Sequence, residues 1–293
     1  FTPYVAISET CGSTGGEIVC DGGNPQARTV CALPAGDYYM VVRGNRPDDL
    51  EVSMSTSEPG TTPTNDVCAN AIDVSAGGTF SGTLLCAEGD YDLSCEWRDN
   101  HDVVYTFTTL EEQDVTLLLT AEDDLAASLA LETVCGERTS EQFCQRSATV
   151  NRLFRSLPAG TYYIVVSGEY EADFELEVSF GPPTSACDGA TVVTETGVFS
   201  GDTTGGHDDF RTTCGGNGQG NDVPYLLEIP YTFDLNAEVT SAPFDTVLHI
   251  RRVCDDQTSQ ILCDDDGGTG TLSILELSAM EAGNYVLVMD ALS

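Results

Sequence analysis

Twelve cysteines and a run of three aspartates are the residues of this 293-residue chain whose types and spacing could support chemistry. Cys11/Cys20, Cys135/Cys144 and Cys254/Cys263 share one spacing, and Cys68/Cys95 and Cys187/Cys214 share another. Structural zinc sites use short Cys-x-x-Cys pairs with histidine partners, and neither occurs here. The expected chemistry is therefore disulfide formation in an oxidising compartment, with each shared spacing marking one bridge. Cys31 and Cys86 fall outside both spacings. Three outlets are open to them: joining the first repeat to the second, pairing with a part of the repeat outside this chain, or bonding to another molecule.

Asp264, Asp265 and Asp266 are followed by Gly267 and Gly268, and Asp245 precedes the neighbouring strand pattern. Calcium takes six to eight oxygen ligands from flexible acidic loops, so these four residues form a candidate calcium site. The alternative is a solvated acidic turn, since the loop matches no EF-hand pattern. Gln145, Arg146, Ser147 and Ala126 stand at the corresponding places of the preceding repeat, which confines any site to the third. The histidines are His101, expected in a solvated turn, His207 in a glycine-rich loop where it could touch a metal, and His249, expected to face outward from a strand. Trp97 follows Cys95 and either packs over a bridge or stands exposed as a binding residue for a sugar or protein partner. No nucleophile elbow, HExxH helix or phosphate-cradling loop is present, so no catalytic residue is assigned and the chain is read as a non-enzyme.

The elements that must position these groups are written three times. A strand, two cysteines with eight residues between them and an Ala-Gly-x-Tyr turn with an aromatic strand behind it recur from Tyr4, Ser128 and Val247. Each unit of about a hundred residues is long enough to bury its own core. The expected organisation is the second half of a β-sandwich repeat at 1–57, a linker at 58–64, a repeat at 65–180, a linker at 181–184, and a third repeat at 185–293 lacking its last strand. Short alternating or β-branched runs bounded by turn residues predict strands at 79–85, 103–109, 115–120, 126–131, 152–157, 162–167 and 174–180. The fold class expected is all-β: tandem antiparallel, jelly-roll-like sandwiches stapled by disulfides. Linkers rich in proline and threonine should be extended and semi-rigid.

The net charge is −37 and every basic residue is arginine. Such a polyanion repels phosphate backbones and anionic lipid surfaces, which argues against nucleic-acid and membrane-surface partners. Acidity also keeps a long extracellular chain soluble. No stretch approaches the roughly 20 apolar residues that span a bilayer.

The order Asp102-Val-Val-Tyr-Thr-Phe107, Phe244-Asp-Thr-Val-Leu248, Cys263-Asp-Asp-Asp266 and Ala282-Gly-Asn-Tyr-Val286 resembles the bacterial pre-peptidase C-terminal domains. The resemblance spans nearly the whole chain and implies secreted β-sandwich accessory modules, some of them stabilised by calcium. The additional cysteines depart from the commonest members. Together these features lead to the expectation of a non-catalytic extracellular structural or adhesive array, a fibre, stalk or spacer, whose partners are neighbouring copies or other extracellular proteins or polymers. The alternative expectation is an accessory module that holds collagen, carbohydrate or another polymer for an attached hydrolase.

Overall fold

The computed structural model describes residues 3–11, 16–22, 30–47, 49–56, 58, 60–96, 100–122, 126–168, 172–204, 206–215 and 220–292. Among them the regular elements are β-strands, with short 3-10 turns such as Cys68–Asn70, Arg138–Ser140 and Gln257–Ser259. The all-β class is thus the observed one. By packing, the chain forms two compact units, one built from 1–107, 119–150 and 161–176, the other from 108–118, 151–160 and 177–293.

Strands β1 (Pro3–Ser8), β2 (Glu17–Gly22) and β3 (Tyr39–Gly44) form a three-stranded antiparallel sheet in the order β2-β1-β3. The chain continues through β4 (Ile72–Asp73), β5 (Gly78–Thr83), β6 (His101–Thr109), β7 (Gln113–Ala121), β8 (Ala127–Glu132), β9 (Glu141–Ser147), β10 (Thr149–Leu157), β11 (Gly160–Gly168) and β12 (Asp173–Gly181). These strands make a five-stranded sheet, β4-β6-β11-β8-β9, and a four-stranded sheet, β10-β7-β12-β5. The remaining strands are β13 (Thr191–Val193), β14 (Asp222–Ile229), β15 (Phe233–Glu238), β16 (Thr246–Arg251), β17 (Gln260–Asp264), β18 (Ile274–Met280) and β19 (Gly283–Ala291). They repeat the plan as a five-stranded sheet, β13-β14-β19-β16-β17, and a two-stranded sheet, β15-β18. Two short strands depart from the antiparallel expectation: β4 runs parallel to β6 and β13 parallel to β14.

Burial follows from which faces are covered. β12 alternates, with Phe174, Leu176 and Val178 inward and Glu175 and Glu177 outward, as a strand with one solvated face must. β8 and β16 are buried at every residue because both of their faces are covered. In the first unit the inner face is closed by contacts such as Tyr105 edge-on to Phe174 at 6.3 Å. Its outer face, at Ala130 and Val165, lies under Leu93 with Tyr91 alongside. In the second unit Leu248, Ile250 and Tyr285 pack against Leu275 and Met280 of β18 on the inner side, while Phe210 covers Val286 and Val288 on the outer. Each outer face is thus roofed by an irregular segment, 88–96 or 207–214, lying between the opening cysteine and the second strand of the sheet.

The disulfides fasten these roofs, and their pairing corrects the expectation from spacing. The bonds are Cys68–Cys135, Cys95–Cys144, Cys187–Cys254, Cys214–Cys263 and Cys31–Cys86. Register explains the exchange. Cys144 lies opposite Ala130 and Cys263 opposite His249, each five residues before the other cysteine of its expected pair. Five extended residues span about 16 Å, whereas bridged Cα atoms sit within about 7 Å. The observed bonds have Cα separations of 5.6–6.1 Å across the second and third repeats. They close loops of 67 and 49 residues instead of short ones, which in the chain-entropy model is about 4 kcal/mol each when taken alone. Cys11 and Cys20, expected to bond each other, are exposed free thiols, because Cys20 lies opposite Ala6 by the same register.

Candidate functional site

The acidic loop of the second unit is the site that the sequence singles out. Asp245 stands just before β16, and Asp265 and Asp266 follow β17, so the β16-β17 pairing brings the three carboxylates together. One oxygen from each lies within 4.8 Å of the others. Asp245 Oδ1 and Asp265 Oδ1 are buried and accept no hydrogen bond from the described residues. Burial, and then the charges of Asp266, Asp245 and Asp264, push the Asp265 carboxyl up. The three carboxylates are hard oxygen donors of the kind calcium takes, fewer than its six to eight ligands. Asp264 does not join the group. Its Oδ2 accepts the backbone N–H of Gly267 at 2.9 Å and of Ile274 at 2.8 Å, so it closes the turn. Asp255, at the other end of the cysteine loop, accepts from the Ser185 hydroxyl at 2.9 Å and the Ala186 N–H at 3.0 Å, and Asp256 accepts from the Thr258 N–H.

The histidines do not assemble a site. His101 is the first residue of β6 instead of a turn residue, with Nδ1 2.6 Å from the Ala87 carbonyl. His207 is half-buried, and its carbonyl accepts the Asp222 N–H. His249 reverses the expectation of an outward position: it is fully buried beneath Phe210, at 6.0 Å between ring centres. Spacing alone could not show this, because the roof segment that covers it lies about forty residues earlier. Burial, and then the Arg251 guanidinium, lower its pKa to about 3, so it is neutral. Arg251 is itself buried, donates to the carbonyls of Arg211 and Cys254, and lies 4.7 Å from the Phe210 ring centre. Trp97 lies outside the described residues. A surface depression of about 600 Å³ lined by Thr62, Pro63, Thr64 and Asp66 contains no histidine.

Two features that sequence reasoning missed are the buried carboxyls and the fastened linkers. Asp102 begins the buried run of β6, and its Oδ2 accepts the N–H groups of Asp90 and Tyr91. Asp222 in β14 repeats this with Asp209 and Phe210. Burial raises both carboxyls, Asp102 to about 8. Asp290 lies opposite Asp222 across β14 and β19 and is also pushed up, first by burial and then by the Asp222 charge. Asp102 and Asp222 thereby each hold down a roof segment. The signal available in the sequence was the recurrence of aspartate at the start of both strands.

The linkers are tied by different chemistry at matching places. Cys31 aligns with Arg155 in the repeats. Cys31 bonds Cys86 within the first unit, and Gly60 passes so close to this bridge that a Cβ there would collide with the Cys86 sulfur. In the second unit Arg155 Nε pairs with Asp209 at 3.0 Å and Arg152 with Asp208 at 3.0 Å. Asp114 accepts the N–H groups of Ser156 and Thr184 and the Thr184 hydroxyl, which fixes the linker residue. Although burial raises the Asp114 carboxyl, those hydrogen bonds and Arg155 outweigh it and hold it low.

No family model matches the chain, and no curated protein matches it. Among solved structures the chain is similar to the pre-peptidase C-terminal domain of collagenase from Bacillus anthracis, at 17% identity and a TM-score of 0.29, over 37% of this chain and 94% of that one.

Proposed function

We propose that the chain is a non-catalytic extracellular scaffold, a string of disulfide-clasped β-sandwich repeats that separates or carries other components as a stalk, fibre or spacer. The observation that carries this reading is that both joints are tied, one by the Cys31–Cys86 bond that joins the first repeat to the second beside Gly60, the other by Asp114 and Arg155 bonding Thr184. A flexible tether needs no such ties, whereas a spacer that transmits position does. Five disulfides support an oxidising, extracellular setting. The repeat limits in this reading are 65–180 and 185–293, with Asp245, Asp265 and Asp266 of the latter binding calcium as a structural ion.

Single-molecule pulling on the oxidised chain tests the load-bearing role. With the cysteine loops locked, the contour length released on unfolding should be far shorter than after reduction. Equal lengths in the two states would refute it.

A further inference from the structure

The sheet β2-β1-β3 exposes what its counterparts bury. Val41 is 46% exposed, while Val165 and Val288 at the same place in β11 and β19 are 0% exposed. Met40 is 42% exposed against 0% for Ile164. In the second repeat the face bearing Ala130, Val165 and Cys144 lies under Leu93, and in the third the face bearing His249 and Val288 lies under Phe210. Ala6, Val41 and Cys20 have no such roof among the described residues. Cys11 and Cys20 are both exposed thiols. Their counterparts, Cys135 and Cys144 in one repeat and Cys254 and Cys263 in the other, are bonded in every case to the two cysteines of the roof-bearing half.

We propose that this sheet is an interaction surface for the amino-terminal half of another repeat of the same kind, a polypeptide like residues 65–124 with two cysteines spaced as Cys68 and Cys95. Cys11 bonds the first cysteine of that half and Cys20 the second. The apolar residues cover the sheet, and the sulfurs fix the register. Each bond forms as two thiols lose two protons and two electrons to an external disulfide such as oxidised glutathione, which leaves as two thiols. Two equivalents of oxidant are consumed. Exposed apolar area on a small sheet is a marker of an interaction site, and the paired thiols specify which partner completes it.

The test joins a second copy of residues 65–124 ahead of Phe1 and compares this chain with the 293-residue chain, both refolded in a glutathione buffer. Peptide mapping without reduction should show Cys11 bonded to the added Cys68 and Cys20 to the added Cys95. Alkylatable thiols contributed by Cys11 and Cys20 should disappear, with loss of the apolar-dye signal that the shorter chain shows. The native Cys68–Cys135 and Cys187–Cys254 bonds report in the same map that both chains have folded. With those bonds formed, a Cys11–Cys20 bond, thiols that stay alkylatable, or symmetric bonds between two copies would each overturn the proposal.

Discussion

Replacing Asp102 by Asn should change how stability depends on pH more than it changes stability itself. Asp102 is 0% exposed, and burial raises its carboxyl from 3.8 to about 8, with the charges of Asp90 and Asp66 adding to the shift and the hydrogen bonds from Tyr91 and Asp90 opposing it. The group binds its proton more tightly folded than unfolded. Its contribution is therefore fully present below pH 3.8 and is lost as pH rises through about 8. Between those limits one proton is released on unfolding, a slope of about 1.4 kcal/mol per pH unit, or about 3 kcal/mol from pH 5 to pH 7 as an upper bound. Asn presents an oxygen to the same two N–H groups and does not titrate. Asp208, Asp222, Asp290 and Glu132 are raised as well, so the parent carries other slopes; subtracting parent from variant isolates this one. Denaturant titrations followed by the single tryptophan should give a D102N stability that gains on the parent steadily from pH 5 to pH 7. A difference constant across that range would refute the burial of a neutral carboxyl. Asp102→Ala serves as the contrast: it strands the Asp90 and Tyr91 N–H groups, so it should lie about 1–3 kcal/mol below D102N and follow the same pH dependence.

Three further outcomes are expected. Replacing Cys31 and Cys86 together by Ser opens a 55-residue loop, worth about 4 kcal/mol in the chain-entropy model; limited proteolysis should then cut at 58–64, and an unchanged digestion pattern would contradict a fastened linker. Arg155→Ala leaves the largely buried Asp209 and Asp114 carboxylates without their cation and should cost about 1–3 kcal/mol in urea titration; no loss would mean the ion pair does not stabilise the joint. Calcium should raise the melting temperature of the chelator-treated chain, and Asp265→Asn should abolish that rise; a midpoint indifferent to calcium would remove the ion from the acidic loop.

Much of the architecture was legible along the chain. Alternation in Phe174 to Phe180 and the buried run Val103 to Phe107 marked their strands because a pleated strand turns alternate residues to opposite faces. The acidic group was legible in part. Asp265 and Asp266 could be named from composition, but the use of Asp264 to accept the Gly267 and Ile274 N–H groups depends on a strand ten residues further on. His249 shows the opposite failure. Comparison with Ala6 and Ala130 suggested a tolerant outer position, yet all three positions lie on the face that a distant roof segment covers in the second and third repeats.

The amino-acid order by itself determined the threefold repetition, the all-β class and the oxidising chemistry, since these depend on local periodicity and on residue types. Only the tertiary structure decided which sulfur meets which. Antiparallel register carries Cys144 five residues away from Cys135 and delivers Cys95 to it from the roof. A spacing that recurs in sequence measures contour length, whereas a bond requires proximity in space, and the fold of each roof over its sheet sets that proximity.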